Sequence, residues 1–276
     1  MDKKTVLFIT GCSSGFGKEL VLESLKRGYR VVATARKNSD LNYLANNKKA
    51  LCLEVDVTKP ETIETAAKKA GEHFGRIDIL INNAGIRYIA EIDNFDEVKM
   101  RQIVETNMFG AIYTARALLP YLKKQKGILV NMASLTSFFP FYDSIFYGIT
   151  KSAMDSIIMA FRQHNDSTGN GIQAMSVNPG VFQTSLRAKA LEDNKKGYSG
   201  TEPNANIVAK EILNCLEHNK ELPFRLILGK DSLERYKQVM VQMKKDLRLA
   251  KIISINKKKK SQELKRFWKH VRIMKV

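Results

Sequence analysis

Cysteine is scarce, with three in 276 residues, Cys12, Cys52 and Cys215, far apart and without a CxxC pair. That usage excludes a disulfide framework and suits a reducing cytosol. The four histidines form no HExxH or other ligand spacing, so no structural metal is expected. No run approaches the roughly 18 apolar residues of a spanning helix, and the apolar stretch after Met1-Asp2-Lys3-Lys4 is too short for a signal peptide. Linkers are missing as well, since no internal repeat and no Gly/Ser-rich or Pro-rich segment breaks residues 1–250. The expectation is a cytoplasmic chain, attached to a membrane peripherally at most.

Acidic residues are few too, 28 against 46 Lys and Arg, a formal net charge of +18. The excess is local. Residues 244–276 hold 13 Lys and Arg and two acids, a net +11, which leaves +7 for the rest. Two parts are therefore expected, a folded domain over 1–255 and a basic tail over 256–276. In the tail, Leu264, Phe267, Trp268, Val271 and Met274 recur at helical spacing among lysines and arginines. Such a segment can lie in an anionic membrane surface or pack its apolar edge on the body. Nucleic-acid binding is not expected, because the basic run lacks a reading motif.

Short, β-branched, unalternating runs recur along the body: Val6–Thr10, Val31–Ala35, Leu51–Val55, Ile77–Ile81, Ile128–Asn131, Gln173–Val177 and Arg225–Leu228. Strands buried on both faces read this way. Helical segments lie between them, one opening with Thr58-Lys59-Pro60-Glu61 as a capping box. Alternation of strand and helix predicts an α/β, doubly wound parallel sheet of about seven strands, with helices on both faces and right-handed crossovers.

Directly after the first strand comes Thr10-Gly11-Cys12-Ser13-Ser14-Gly15-Phe16-Gly17, followed by a helical run. Glycines there allow a tight turn and close approach of a pyrophosphate to a helix N-terminus. The second strand ends in Ala35-Arg36-Lys37, without the acid that would contact a ribose 2′-hydroxyl and with a base that suits a 2′-phosphate. NADP(H) is therefore expected over NAD(H), although Arg36 could also be a solvated charge at a strand end.

Tyr147 and Lys151 form a YxxxK pair one helical turn apart, and a nearby cation favours tyrosinate. Ser134 follows the run Ile128–Asn131, at the strand end where ligands bind in open α/β sheets. Asn107 stands inside a long helical pattern, where Asn is a poor residue, which suggests that its side chain is put to use or that the helix breaks.

With these residues, TGxxxGxG, Asn82-Asn83-Ala84-Gly85 and Pro179-Gly180, the chain over about residues 4–230 resembles the short-chain dehydrogenase/reductase family. Within it, Val32–Arg36 and Leu228–Asp231 resemble the branch related to 17β-hydroxysteroid and retinol dehydrogenases. The resemblance implies an Asn107-Ser134-Tyr147-Lys151 tetrad. Tyr147 would donate or accept the proton, Ser134 orient the oxygen, Lys151 hold the nicotinamide ribose and lower the Tyr147 pKa, and Asn107 anchor a water relay. It further implies cofactor contacts from Gly11, Ser13, Ser14, Gly15, Phe16 and Gly17, from Asp56 and Val57 at the adenine, and from Asn83, Ala84 and Gly85 at the ribose. Pro179, Gly180, Val181 and Thr184 complete the set at the nicotinamide end.

Phe138, Phe139, Phe141, Tyr142 and Phe146 crowd the stretch between Ser134 and Tyr147, either lining a pocket for an apolar substrate or packing a core or interface. The polar segment from Ser185 to Pro203 suits a substrate lid. The expected function is hydride transfer between NADP(H) and a carbonyl or secondary alcohol of a fairly apolar small molecule, in a homo-oligomer, dimer or tetramer, formed through the Tyr147–Arg162 helix. A non-catalytic NADPH-binding sensor on the same fold is the alternative.

Overall fold

The structure, a computed structural model, describes residues 1–169, 171–184 and 202–250. The tail over 256–276 and most of the expected lid, 185–201, lie outside the described residues. The chain divides into two compact units, Met1–Leu233 and Glu234–Val276, and in the second the described residues 234–250 are helical.

The seven apolar runs become seven strands: β1 (Val6–Ile9), β2 (Arg30–Ala35), β3 (Ala50–Glu54), β4 (Ile79–Asn82), β5 (Ile128–Met132), β6 (Gln173–Pro179) and β7 (Arg225–Leu228). All pair in parallel in the order β3-β2-β1-β4-β5-β6-β7. The connecting helices are α1 (Gly15–Lys26), α2 (Pro60–Phe74), α3 (Glu97–Val104), α4 (Gly110–Gln125), α5 (Ile145–Thr168) and α6 (Ala205–His218). This is the doubly wound sheet the alternation predicts, and its ligand crevice falls outside the carboxyl ends of β1 and β4, where the strand order reverses.

Successive strand residues point to opposite faces, so each strand feeds two cores. Leu7 and Ile9 pack with Leu20 and Val21 of α1 and Val208 and Ile212 of α6. Val6 and Phe8 pack with Ile63 and Ala67 of α2, Leu118 of α4 and Ile158 of α5. In the central strands β1 and β4 neither face meets water, and their runs are correspondingly apolar, whereas the edge strands β3 and β7 are only half-buried. Complete burial of each large apolar side chain contributes about 1.5–3 kcal/mol.

One local expectation is corrected. Helix α2 begins at Pro60 with Lys59 as its cap residue and no side-chain cap bond, so Thr58 is not the cap. The Thr58 amide and hydroxyl instead donate to Asp56 Oδ1 at 3.0 and 2.7 Å, a turn that competes with capping.

Among the described residues, no helix is long and apolar enough to cross a membrane.

Candidate active site

The turn between β1 and α1 is built by close contact. Gly11 has a φ of +70°, and a Cβ placed on it would stand 2.7 Å from Ala84 Cα. A Cβ on Gly17 would stand 2.2 Å from Gly11 O and 2.5 Å from Asn83 Nδ2. The Asn82–Gly85 segment locks this turn from the next strand: Asn83 Nδ2 donates to Thr10 O and Gly11 O at 2.8 and 3.0 Å. The amides of Asn83 and Ala84 donate to Thr10 Oγ1. Two strand ends thus form one rigid cradle at the N-terminus of α1, where amides and the helix dipole favour an anion.

A cleft of about 1070 Å³ runs from this cradle along the carboxyl ends of the strands. It is lined by Gly11, Ser13, Ser14, Gly15 and Phe16 at one end, by Arg36, Asp56 and Val57 beside them, and by Asn83, Ala84 and Gly85 at its floor. Ser134, Tyr147, Lys151, Pro179, Gly180, Val181 and Thr184 line it as well. Of the residues expected at the site, Gly17 and Asn107 stand behind the wall. Arg36 is exposed, immediately beyond the last residue of β2, where no carboxylate stands. The Asp56 carboxylate, expected at the adenine, is turned back onto Thr58.

Tyr147 and Lys151 sit one turn apart in α5, with Lys151 Nζ 5.5 Å from the Tyr147 ring centroid. Lys151 is buried and donates to Met132 O at 2.7 Å. Burial lowers its pKa to about 8, and Asp155, one turn further along the helix, opposes that fall. Asp155 is itself buried and tied to Ser176, Asn178 and Arg225, the last by an ion pair of 2.7 Å.

Burial pushes the Tyr147 phenol up to about 12, against the charge of Arg87 and a hydrogen bond with Ser134. This differs from the expectation that Lys151 lowers the phenol. The lysine is held over the ring by Met132 O, and the cation that acts on the hydroxyl is Arg87. Ser134 also serves the local fold, since its Oγ accepts from the Thr136 amide and caps the short turn Leu135–Ser137.

Asn107 explains its own place in the helical pattern. It lies in a π-helical turn, Glu105–Phe109, between α3 and α4, and is completely buried. Its Oδ1 accepts from the Ile86 amide at 2.8 Å, and its Nδ2 donates to Ile86 O and to Thr150 Oγ1 at 2.9 and 3.1 Å. The side chain is thus consumed in pinning the loop after Gly85 to α5, and it is not itself at the cleft surface.

Of the aromatic cluster only Phe141 lines the cleft. Phe146 packs against Tyr88 and Phe95, Phe138 lies beside Arg225, and Tyr142 is exposed. Other apolar lining comes from Met100, Phe109 and Phe182. Two polar residues stand at the site unforeseen. Asp231 accepts from the Val181 amide at 2.8 Å and fixes the Pro179–Val181 turn, and Arg87 lines the cleft beside Tyr147. The Leu228–Asp231 motif drew attention to the first, and nothing in the sequence drew it to the second.

The sequence profile of the short chain dehydrogenases matches residues 5–195. The chain belongs to the short-chain dehydrogenase family. An uncharacterised oxidoreductase of Staphylococcus saprophyticus is 34% identical over 188 residues, covering 67% of this chain and 76% of that protein. A short-chain dehydrogenase from Streptomyces avermitilis superposes with a TM-score of 0.81 at 26% identity, covering 91% of this chain and 97% of the other. ElxO, solved with NADP bound, superposes with a TM-score of 0.72 at 26% identity, covering 81% and 96% of the two chains. The short-chain dehydrogenases are oxidoreductases, and the family read from the glycine turn and the YxxxK pair is thereby shown.

Proposed function

We propose that this protein is an NADP(H)-dependent oxidoreductase that interconverts a carbonyl and a secondary alcohol on a fairly apolar small molecule. The observation that carries this reading is the convergence of Tyr147, Ser134 and Lys151 in one cleft with the glycine cradle.

The residues present fit a dinucleotide. Gly11, Ser13, Ser14 and Gly15 line the cleft where α1 begins, and the first amides of a helix suit a pyrophosphate. Arg36 replaces the acid that would favour a free 2′-hydroxyl, and ElxO, which shares this fold, holds NADP. When bound, the nicotinamide supplies or accepts hydride. The chain's own part is proton chemistry and orientation. Tyr147, protonated at neutral pH, donates to the carbonyl oxygen in reduction, and Ser134 holds that oxygen through its hydroxyl. Lys151 contributes positive charge beneath the ring and a donor at the ribose, and Phe141, Met100 and Phe109 offer the apolar remainder of the substrate a surface.

The same reading makes the protein a cytoplasmic homo-oligomer, with the exposed Ile149 and Met159 of α5 as the association surface. Peripheral attachment to anionic membrane rests on the composition of 256–276 alone.

Parallel fluorescence titrations with NADPH and NADH, followed by ketones and aldehydes in the same cuvette, test the assignment. Tighter NADPH binding is expected, with Tyr147→Phe reducing turnover by a factor on the order of 10²–10⁴ while leaving NADPH affinity within a few-fold. Unchanged turnover in Tyr147→Phe refutes the role given to the phenol, and equal NADH affinity refutes that given to Arg36.

A further inference from the structure

Arg87 follows the Asn82–Gly85 turn by two residues and is half-buried in the wall of the cleft. A guanidinium keeps its charge under all ordinary conditions and carries five donors, so a half-buried one is normally paired with a carboxylate. This one is not. Its Nε is closed off from water without a hydrogen-bond partner. Among the described residues no acid forms an ion pair with it, although Asp143 and Glu105 line the same cleft. The cost of that unpaired Nε, which no described residue offsets with a hydrogen bond or an ion pair, points to an acceptor that arrives from outside.

The placement of the guanidinium is fixed. Both backbone polar groups of Ile86 are bonded to Asn107, which is anchored to Thr150 on α5, so the chain at Arg87 is tied to the helix that carries Tyr147. Arg87 Cζ stands 5.9 Å from the Tyr147 ring centroid, and its charge acts on the phenol. A second unpaired donor stands nearby. Ser144, the residue that precedes α5, is 1% exposed, lines the cleft and does not use its hydroxyl to cap the helix. The N-terminus of a 24-residue helix adds a field that favours negative charge there.

We propose that Arg87, supported by Ser144 and the start of α5, receives a carboxylate of the substrate. Given the proposed role of Tyr147, on which this rests, the preferred substrates are oxo acids and the corresponding hydroxy acids. Their carboxylate oxygens lie two or three bonds from the reacting carbon, and their apolar chain runs towards Phe141. Arginine suits this role because its planar fork meets both carboxylate oxygens at once, whereas a ketone without the acid leaves the fork unpaired.

The test uses the full-length protein with NADPH and two matched sets of probes. The reducible set is 2-oxooctanoate, 3-oxooctanoate, their methyl esters and 2-octanone, and the non-reducible set is octanoate and 1-octanol. In the wild type the acids are preferred over their esters. In Arg87→Met the acid-to-ester ratio of kcat/KM falls about 100-fold, mainly through KM, as expected for loss of a charge-assisted hydrogen-bonded pair, and Arg87→Lys restores part of it. Octanoate binding to the NADPH complex, read by cofactor fluorescence, weakens at least about tenfold in Arg87→Met while 1-octanol binding does not. An acid-to-ester ratio unmoved by Arg87→Met overturns the inference and leaves the oxidoreductase reading standing. Should no probe be reduced, that reading fails for these substrates, and octanoate binding then decides the matter. Dependence on Arg87 upholds the carboxylate site, and independence overturns it.

Discussion

Lys151 carries a measurable signature of the site even without nucleotide. Its folded pKa is about 8, against about 10.4 for an unfolded lysine. Between these values the unfolded chain holds a proton that the folded one has released, so this group's contribution to stability rises with pH across the window. Below pH 8 both states are protonated and the contribution is flat. The raised groups Tyr147, from about pH 10, and Cys12, from about pH 9, act in the opposite sense, which is why the comparison must be made against a variant. In urea unfolding at pH 7 to 10, Lys151→Met loses ground to the wild type as pH passes 8. A difference that stays constant with pH would mean that the Lys151 ammonium is hydrated in the folded protein, contrary to its burial. The phenol beside it illustrates the same physics with the other sign: burial disfavours tyrosinate and the charge of Arg87 opposes that rise, so under the proposed function the protonated phenol is the donor.

Elements position these groups, and the π-helical turn between α3 and α4 shows how. The extra residue aims Asn107 at both polar groups of Ile86, which a continuous α-helix would not allow. Asn107→Ala orphans the buried Ile86 amide and carbonyl together, and a loss of about 2 to 4 kcal/mol in unfolding free energy is expected by urea denaturation. A loss below about 1 kcal/mol would show that water replaces the amide and that the loop bearing Arg87 is held elsewhere. The sequence made the oddity of Asn107 legible, because an Asn in the middle of an apolar helical period has no propensity reason to be there, but it could not name the partner across 21 residues. Strands were legible for a related reason. The central ones are covered on both faces, so burial writes a nearly continuous apolar run that hides little. The start of α2 was misread because Thr58 had a competitor for its hydroxyl two residues away, and local patterns do not rank competitors. Arg87 left no trace in the sequence at all. A single charge after a glycine turn has no period, and its meaning depends on α5 packing against the loop.

At the scale of the molecule, the binding cleft and the charge excess belong to different stretches of chain. Among the described residues, those that line the cleft lie between Gly11 and Thr184, within the unit Met1–Leu233, whereas +11 of the +18 net charge lies in residues 244–276. Nucleotide binding should therefore be indifferent to the tail. A ligand that binds only the folded state stabilises it by about 2.7 kcal/mol at 100 times its dissociation constant. For a domain of this size that raises the midpoint of thermal unfolding by roughly 5 to 10 °C. NADPH should produce this shift equally in the full chain and in a chain ending at residue 255, at low and at physiological salt. If the shortened protein lost the shift, residues 256–276 would have to contribute to the nucleotide site directly. If the shift survived in the shortened protein but weakened with salt in the full chain alone, the tail's lysines would be competing for the phosphates of the nucleotide, since such charge contacts weaken as salt is added whereas the backbone cradle around Gly11 and Gly17 is far less sensitive to it.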